Sequence, residues 1–212
     1  MMAIIGSSKS GKTRGLLEQM VAPHFPFRYN REDTDGAQII VFSPTASLDK
    51  NFQEVMVPGI IIREAIDDDL IEEKANSGQS WLIIFDDLIG DEAHLSNHSK
   101  LPYFVTRARH WNMSMIFLSQ SFKRLPLLIR RNLDILVIHK IKEDDELTQV
   151  LRAMNRGVDR NIVKQMYDYA LGENIHNNLT INDKFDIDEG YFSMNYGAAD
   201  FIVKKNKVRS LL

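Results

Sequence analysis

Between an apolar run, Met2–Ile5, and a helix-forming stretch, 14–20, the chain reads G-S-S-K-S-G-K-T over residues 6–13. This fits G-x-x-x-x-G-K-[ST] at every fixed position, and strand, glycine-rich loop, helix is the context the pattern requires. No other feature constrains the fold so strongly. Gly6 and Gly11 carry no Cβ to keep the backbone away from phosphate oxygens. The loop N–H groups of Ser7, Ser8, Lys9 and Ser10 converge on an anion, helped by the N-terminus of the helix that follows. Lys12 is expected to reach the β and γ phosphates, and the Thr13 hydroxyl to help hold Mg²⁺. The cofactors implied are ATP and Mg²⁺. The plainer alternative is a Gly/Ser turn between strand and helix.

Bulk composition narrows the class without naming an activity. The 212 residues, 44% hydrophobic and 26% charged, suit one domain with its own core and an ordinary soluble globular protein. The absence of Cys excludes disulfides and Cys-ligated metals. No apolar run reaches the roughly 20 residues of a membrane span, and the N-terminus carries no signal-peptide pattern. Net charge is −3, by itself a weak argument against nucleic-acid binding. The charges are segregated, however. Residues 93–133 hold no Asp or Glu but contain Lys100, Arg107, Arg109, Lys123, Arg124, Arg130 and Arg131. That segregation predicts one positive surface on an acidic body. The alternative is helix and strand ends that happen to carry Arg.

Up to about residue 140 apolar strands alternate with helices. Residues 23–36 read as a polar loop with two prolines. "AQIIVFSPT" (37–45) reads as a strand stopped by a Pro turn, and "PGIIIREA" (58–65) as another short strand before an acidic helical stretch, 67–74. "WLIIF" (81–85) is five apolar residues in a row, which suits a strand buried on both faces of a parallel sheet. Residues 102–120 read as a helix followed by a strand over Met113–Ser119. A Pro-containing loop, a short helix and a strand over 133–139 come next. Residues 143–171 look helical with a break near Gly157, and runs around Gly190 and Gly197 predict a terminal hairpin. The expected fold is α/β, a central mostly parallel sheet flanked by helices with a C-terminal hairpin extension. The expected organisation is one domain over 1–212, with a motor core at 1–140 and an extension at 141–212. His94, His98 and His110 have no ligand-like company and read as loop residues.

The strand at 81–85 runs into Asp86 and Asp87. Such a strand delivers a carboxylate to the C-terminal edge of the sheet, where Asp86 can orient Mg²⁺ through Thr13 and water. Asp87 beside it is the candidate general base for the attacking water. The plain alternative is a strand that ends in a polar turn. Gln120 follows the strand over Met113–Ser119, and a polar amide at the tip of a buried strand is costly unless it bonds something. In this kind of fold that strand lies between the P-loop strand and the Asp86 strand, which would bring Gln120 near the γ-phosphate. A strand-end Gln bonded to a loop is the alternative.

Four stretches carry a family resemblance: "GSSKSGKT", the "FSPT" after the second strand, "LIIFDD", and "RHWNMSMIFLSQSFKRLPLLIRRN". With them the chain resembles the FtsK/HerA class of P-loop motors, which have the additional-strand, RecA-like P-loop NTPase fold. It most resembles the small DNA-packaging ATPases of poxvirus-like large DNA viruses and virophages. The resemblance spans about residues 1–140, and the last third matches only in outline. It implies that Gln120 senses the γ-phosphate. It also implies that Arg109, eleven residues before Gln120, is an arginine finger for the neighbouring subunit's site, with Arg107 and Arg130 as rivals. A basic residue two before an Asn, as Arg130 before Asn132, also recurs in that class. A finger acting in trans raises hydrolysis by orders of magnitude and couples turnover to ring assembly. Where the class commonly has Asp-Glu this chain has Asp86-Asp87, which shortens the reach of the base. The chain starts almost at the P-loop, so the N-terminal domains of larger relatives are expected to be missing.

The leading expectation is an ATP-driven double-stranded DNA translocase that packages a viral genome, working as a homo-oligomeric ring, a pentamer or hexamer. Its partners would be double-stranded DNA and viral capsid or portal components. Its place would be the viral factory in the host-cell cytoplasm, and the virion. Lys123 and Arg124, or the loop at 91–100, would face DNA through salt-sensitive phosphate contacts. The alternatives are a monomeric P-loop kinase of a small substrate, whose usual Arg-rich lid the "TRARH" region superficially resembles, and a nucleotide-gated assembly scaffold with little hydrolysis. A strand-tip Gln120 argues against the kinase; the Asp86-Asp87 departure keeps the scaffold open.

Overall fold

The computed structural model describes residues 1–21, 38–46, 60–88, 100–154, 157–172, 174, 176–187, 190–197, 199–204 and 207–210. The expected loop at 23–36, His94 and His98, and all of the 91–100 segment except Lys100 lie outside them.

Strand β1 (Met2–Ile5) leads through the P-loop into helix α1 (Lys12–Val21), which buries Leu16, Leu17 and Met20 along one face. Strand β2 (Ile39–Phe42) is buried throughout, and its neighbour β3 (Ile60–Arg63) has half-buried side chains up to the exposed Arg63. Helix α2 (Asp68–Ala75) starts where the Asp67 side chain accepts from Leu70 N, and Asp68 and Asp69 lie in its first turn. Both features suit a helix N-terminus, which has orphan N–H groups and a positive dipole end. Strand β4 (Trp81–Asp86) is buried at all six positions, so Asp86 is itself the last strand residue.

Helix α3 (Leu101–Arg107) tightens into a 3₁₀ turn, Ala108–Trp111, that ends on Asn112 in the left-handed region at φ 54°. Strand β5 (Met113–Ser119) has the bounds expected from sequence. The short helix α4 (Leu127–Arg131) and strand β6 (Ile135–Ile138) follow. Helices α5 (Asp144–Ala153) and α6 (Arg160–Leu171) flank the break expected near Gly157, which has φ +79°. The tail then forms β7 (Leu179–Asn182), β8 (Phe192–Met194), β9 (Ala199–Lys204) and β10 (Lys207–Ser210).

These elements divide into two compact units. One is made of Met1, Thr13–Ser119 and Arg124–Asn132. Its strands run β3-β2-β4-β5, every pair parallel. The register aligns Phe42 with Phe85 and Phe85 with Phe117, whose rings stack at 5.5 and 4.9 Å. These three rings are fully buried, and aromatic pairs at such distances add to the burial of their apolar area.

The other unit comprises Met2–Lys12, Gln120–Lys123 and Leu133–Leu212. Here β1 pairs with β6 in parallel, and β7, β8, β9 and β10 continue from β6 as successive antiparallel neighbours. The expected terminal hairpin is thus part of a four-strand antiparallel run. Its first strand, β7, is four residues between Asn178 and Asp183, too short to carry a period-2 signal against its polar flanks.

Candidate nucleotide-binding site

The loop at 6–12 is shaped by contacts that glycine alone permits. A Cβ on Gly6 would lie 2.6 Å from Ser10 Oγ and 2.7 Å from His139 Cβ. Gly11 has φ +90°, and a Cβ there would run into the His176 ring. Such positions admit no other residue without a shift of the surroundings. Lys9 is also left-handed, at φ 62°. Ser7 N donates to Lys140 O at 2.9 Å, Lys142 N donates to Ser7 Oγ at 3.1 Å, and Ser10 N donates to Ser7 O. The segment after β6 therefore holds the loop on one side. Ser8 and Lys9, at the loop tip, are exposed.

Lys12 is only 7% exposed, and its Nζ donates to Gly6 O at 2.8 Å and Ser7 O at 3.1 Å. A buried ammonium needs partners of this kind. The close approaches at Gly6 and Gly11 are made by Ser10, His139 and His176, while the buried Ser10 Oγ has no hydrogen-bond partner among the described residues and is a polar group that a phosphate oxygen would satisfy.

His139, at the end of β6, forms the floor. It is fully buried, and its backbone N–H donates to Ile5 O at 2.8 Å. Its Nε2 lies 3.1 Å from the Tyr196 hydroxyl. Burial first, and then the Lys12 ammonium, lower its pKa to about 4. The ring is therefore neutral near neutral pH. Tyr167 of α6 ties the next turn, accepting from Ile141 N at 2.9 Å and donating to His139 O at 3.3 Å. Burial pushes that phenol up to about 12.

The carboxylate at the end of β4 belongs to the other unit. Asp86 is 4% exposed and accepts from Ser43 Oγ at 3.1 Å. The cause is register: Phe42 pairs with Phe85, so the residue after each strand core falls at the same level. Asp87 differs in kind. It is exposed, left-handed at φ 51°, and its N–H donates to Leu118 O at 3.3 Å. Thr13 is half-buried and lies in the same unit as Asp86. Both offer hard oxygen donors of the sort Mg²⁺ takes. No cluster of three or more His, Cys, Asp or Glu suited to a metal exists among the described residues.

Gln120 follows β5 and is exposed, so it is not the buried strand-tip amide that the sequence predicts. The turn after it is held firmly. Glu146, in the first turn of α5 and 5% exposed, accepts through Oε1 from Phe122 N at 2.5 Å and Ser121 Oγ at 3.1 Å.

The three arginines considered as fingers occupy different settings. Arg107 stacks its guanidinium 4.0 Å above the Tyr103 ring. Arg130 donates through Nε to Leu125 O at 3.0 Å. Arg109 lies exposed on the 3₁₀ turn, where it lines a cavity of about 170 Å³ with Met1, Thr106 and Asn132. Within the acid-free segment, Lys100 bonds Glu72 at 2.9 Å and Lys123 lies 4.0 Å from Glu146.

Sequence reading overlooked Ser43, His139, Glu146 and Tyr196. Only Ser43 had a signal, its place in "FSPT" directly after an apolar run. For the others, nothing in the local pattern separates them from ordinary polar residues.

The Poxvirus A32 protein family matches residues 58–206, more than half of the chain and a span that includes Asp86, Asp87, Arg109 and Gln120. The chain is similar to the solved structure of B204, the DNA-packaging ATPase from Sulfolobus Turreted Icosahedral Virus. That match has a TM-score of 0.57 and 11% identity, over 91% of this chain and 95% of that one. It is also similar to the genome packaging NTPase B204 from Sulfolobus turreted icosahedral virus 2 in complex with AMP. Here the TM-score is 0.52 at 14% identity, over 87% of this chain and 92% of that one. At these identities the likeness is one of fold. No curated protein sequence matches the chain. The P-loop before the matched span, the buried strand-end Asp86 within it and the shared fold agree with that assignment, and the chain belongs to the Poxvirus A32 protein family of viral genome-packaging ATPases.

Proposed function

We propose that this chain is the ATP-driven motor that moves double-stranded DNA into a viral capsid, working as a homo-oligomeric ring. The observation that carries the reading is the P-loop itself, with Lys12 buried over the carbonyls of Gly6 and Ser7, in a chain of a packaging-ATPase family. B204 structures in complex with AMP and with ATP-gammaS support ATP as the ligand. In this reading Gly6 to Thr13 bind the phosphates, and Thr13 and Asp86 hold Mg²⁺. The metal neutralises charge that develops on the phosphates during transfer. Asp87 is the base for the attacking water, Gln120 reads the γ-phosphate, and Arg109 serves the neighbouring subunit's site. Residues 1–212 act as one ATPase domain, with the motor core at 1–140. Among the described residues no helix is long and apolar enough to cross a membrane. The site of action is the viral factory in the host cytoplasm, with capsid or portal components as partners.

Steady-state ATP hydrolysis by the purified chain, with and without long double-stranded DNA and across protein concentration, tests this. The expected rate per subunit climbs with concentration and rises again with DNA. A rate indifferent to both would overturn the motor and favour a monomeric kinase.

A further inference from the structure

Tyr196 stands in the left-handed region at φ 60°, ψ 29°, directly after Asn195 at φ 49°. A bulky aromatic residue rarely adopts this conformation, and two left-handed residues in succession persist only where the surroundings hold them. Here the surroundings are visible. Tyr196 N donates to Asn178 Oδ1 and to Thr180 Oγ1, both at 3.2 Å, and Asn178 N donates back to Asn195 Oδ1 at 3.1 Å. Asn178 and Thr180 are buried and bonded to each other at 3.0 Å. This arrangement sets the Tyr196 hydroxyl 3.1 Å from Nε2 of the fully buried His139.

His139 in turn abuts the P-loop, since its Cβ lies where Gly6 can have none. Neither the buried His139 Nδ1 nor the buried Ser10 Oγ has a hydrogen-bond partner among the described residues. The His139 ring is bonded by the Tyr196 hydroxyl, while its backbone donates to Ile5 O and accepts from the Tyr167 hydroxyl.

We propose that His139 and Tyr196 form a strut that holds the P-loop in its phosphate-binding shape, so that the strands after residue 178 set the affinity for ATP. The inference rests on the ATPase reading above. Both are positioning residues and touch no substrate. A strained turn is retained because it is the geometry that aims the hydroxyl. Losing that hydroxyl lets the imidazole tilt and the Gly6 carbonyl, which Lys12 holds, move with it.

The test is equilibrium binding of a non-hydrolysable ATP analogue, together with KM and kcat for ATP, on wild type, Tyr196→Phe and His139→Gln. Tyr196→Phe removes one oxygen and is expected to weaken binding and raise KM about fivefold, the size of one hydrogen bond. His139→Gln keeps a polar partner for the hydroxyl and loses the ring that floors the loop; it is expected to weaken binding at least as much. Unaltered nucleotide affinity in a folded Tyr196→Phe protein overturns the strut, even if its Tm falls. If wild type binds no nucleotide, the ATPase reading itself fails and the strut with it. The two failures are therefore distinct.

Discussion

Ser43 donates its hydroxyl to Asp86 at 3.1 Å, and both side chains are almost fully buried. This hydrogen bond helps to orient the carboxylate at the end of β4. A group that orients a metal-binding side chain, the role proposed for Asp86, is typically worth 10- to 100-fold in metal affinity or activity. Ser43→Ala is expected to lower kcat by about tenfold and to raise the Mg²⁺ concentration needed for half-maximal rate. Asp86→Asn is expected to abolish turnover. A magnesium titration of ATPase activity in both variants checks the order of these effects.

Lys12→Ala removes the ammonium that bridges Gly6 O and Ser7 O. Loss of ATP hydrolysis to background is expected, with the fold retained. Nucleotide binding by calorimetry alongside circular dichroism separates loss of the site from loss of structure.

Glu146→Ala leaves the buried Phe122 N–H without the carboxylate it now bonds. An unsatisfied buried donor costs roughly 1–3 kcal/mol, so urea unfolding should shift by about that amount. The turn after Gln120 loosens as well, and kcat should fall more than KM rises. Glu146→Gln keeps an acceptor oxygen and should recover most of both losses.

Arg109→Ala is expected to abolish turnover while leaving nucleotide binding intact, because the proposed finger acts on another subunit. Mixing it with Lys12→Ala protein should restore part of the rate, since a mixed interface can combine one intact P-loop with one intact finger. If Arg109→Ala hydrolyses ATP at the wild-type rate, the finger lies elsewhere, with Arg107 and Arg130 next to be substituted.

His139 gives a pH signature. Burial and then Lys12 hold its pKa down at about 4, against 6.5 for an ordinary imidazole. As pH falls, the unfolded chain takes up this proton first, so the folded state loses ground. Its contribution is complete above about pH 6.5 and is lost toward pH 4, about 3 kcal/mol in all. His139→Gln should flatten this part of the stability curve. Unfolding midpoints of the two proteins between about pH 7 and pH 4.5 give the comparison.

Features encoded in contiguous residues are legible in the chain itself. The P-loop is eight neighbours in a row. The buried run at Trp81–Asp86 announces its own burial and delivers its own acid, and strand Met113–Ser119 has the bounds that its apolar run predicts. The helix break near Gly157 shows in the chain because glycine supplies the positive φ found there. The C-terminal strands are legible only in part, since three- and four-residue strands such as β7 and β8 carry too few positions for a period.

What only the tertiary structure decided are the supports. Ser43 meets Asp86 across 43 residues, Glu146 meets Phe122 across 24, and Tyr196 meets His139 across 57. The first follows from the register of β2 on β4, the second from where α5 begins, and the third from a left-handed turn at Asn195 and Tyr196. A hydrogen bond between distant residues needs two side chains brought within about 3 Å by independent elements. Residue spacing along the chain holds no record of that distance. The motifs thus stand in contiguous residues of the sequence, and the packing of strands and helices decided which distant side chains hold them in place.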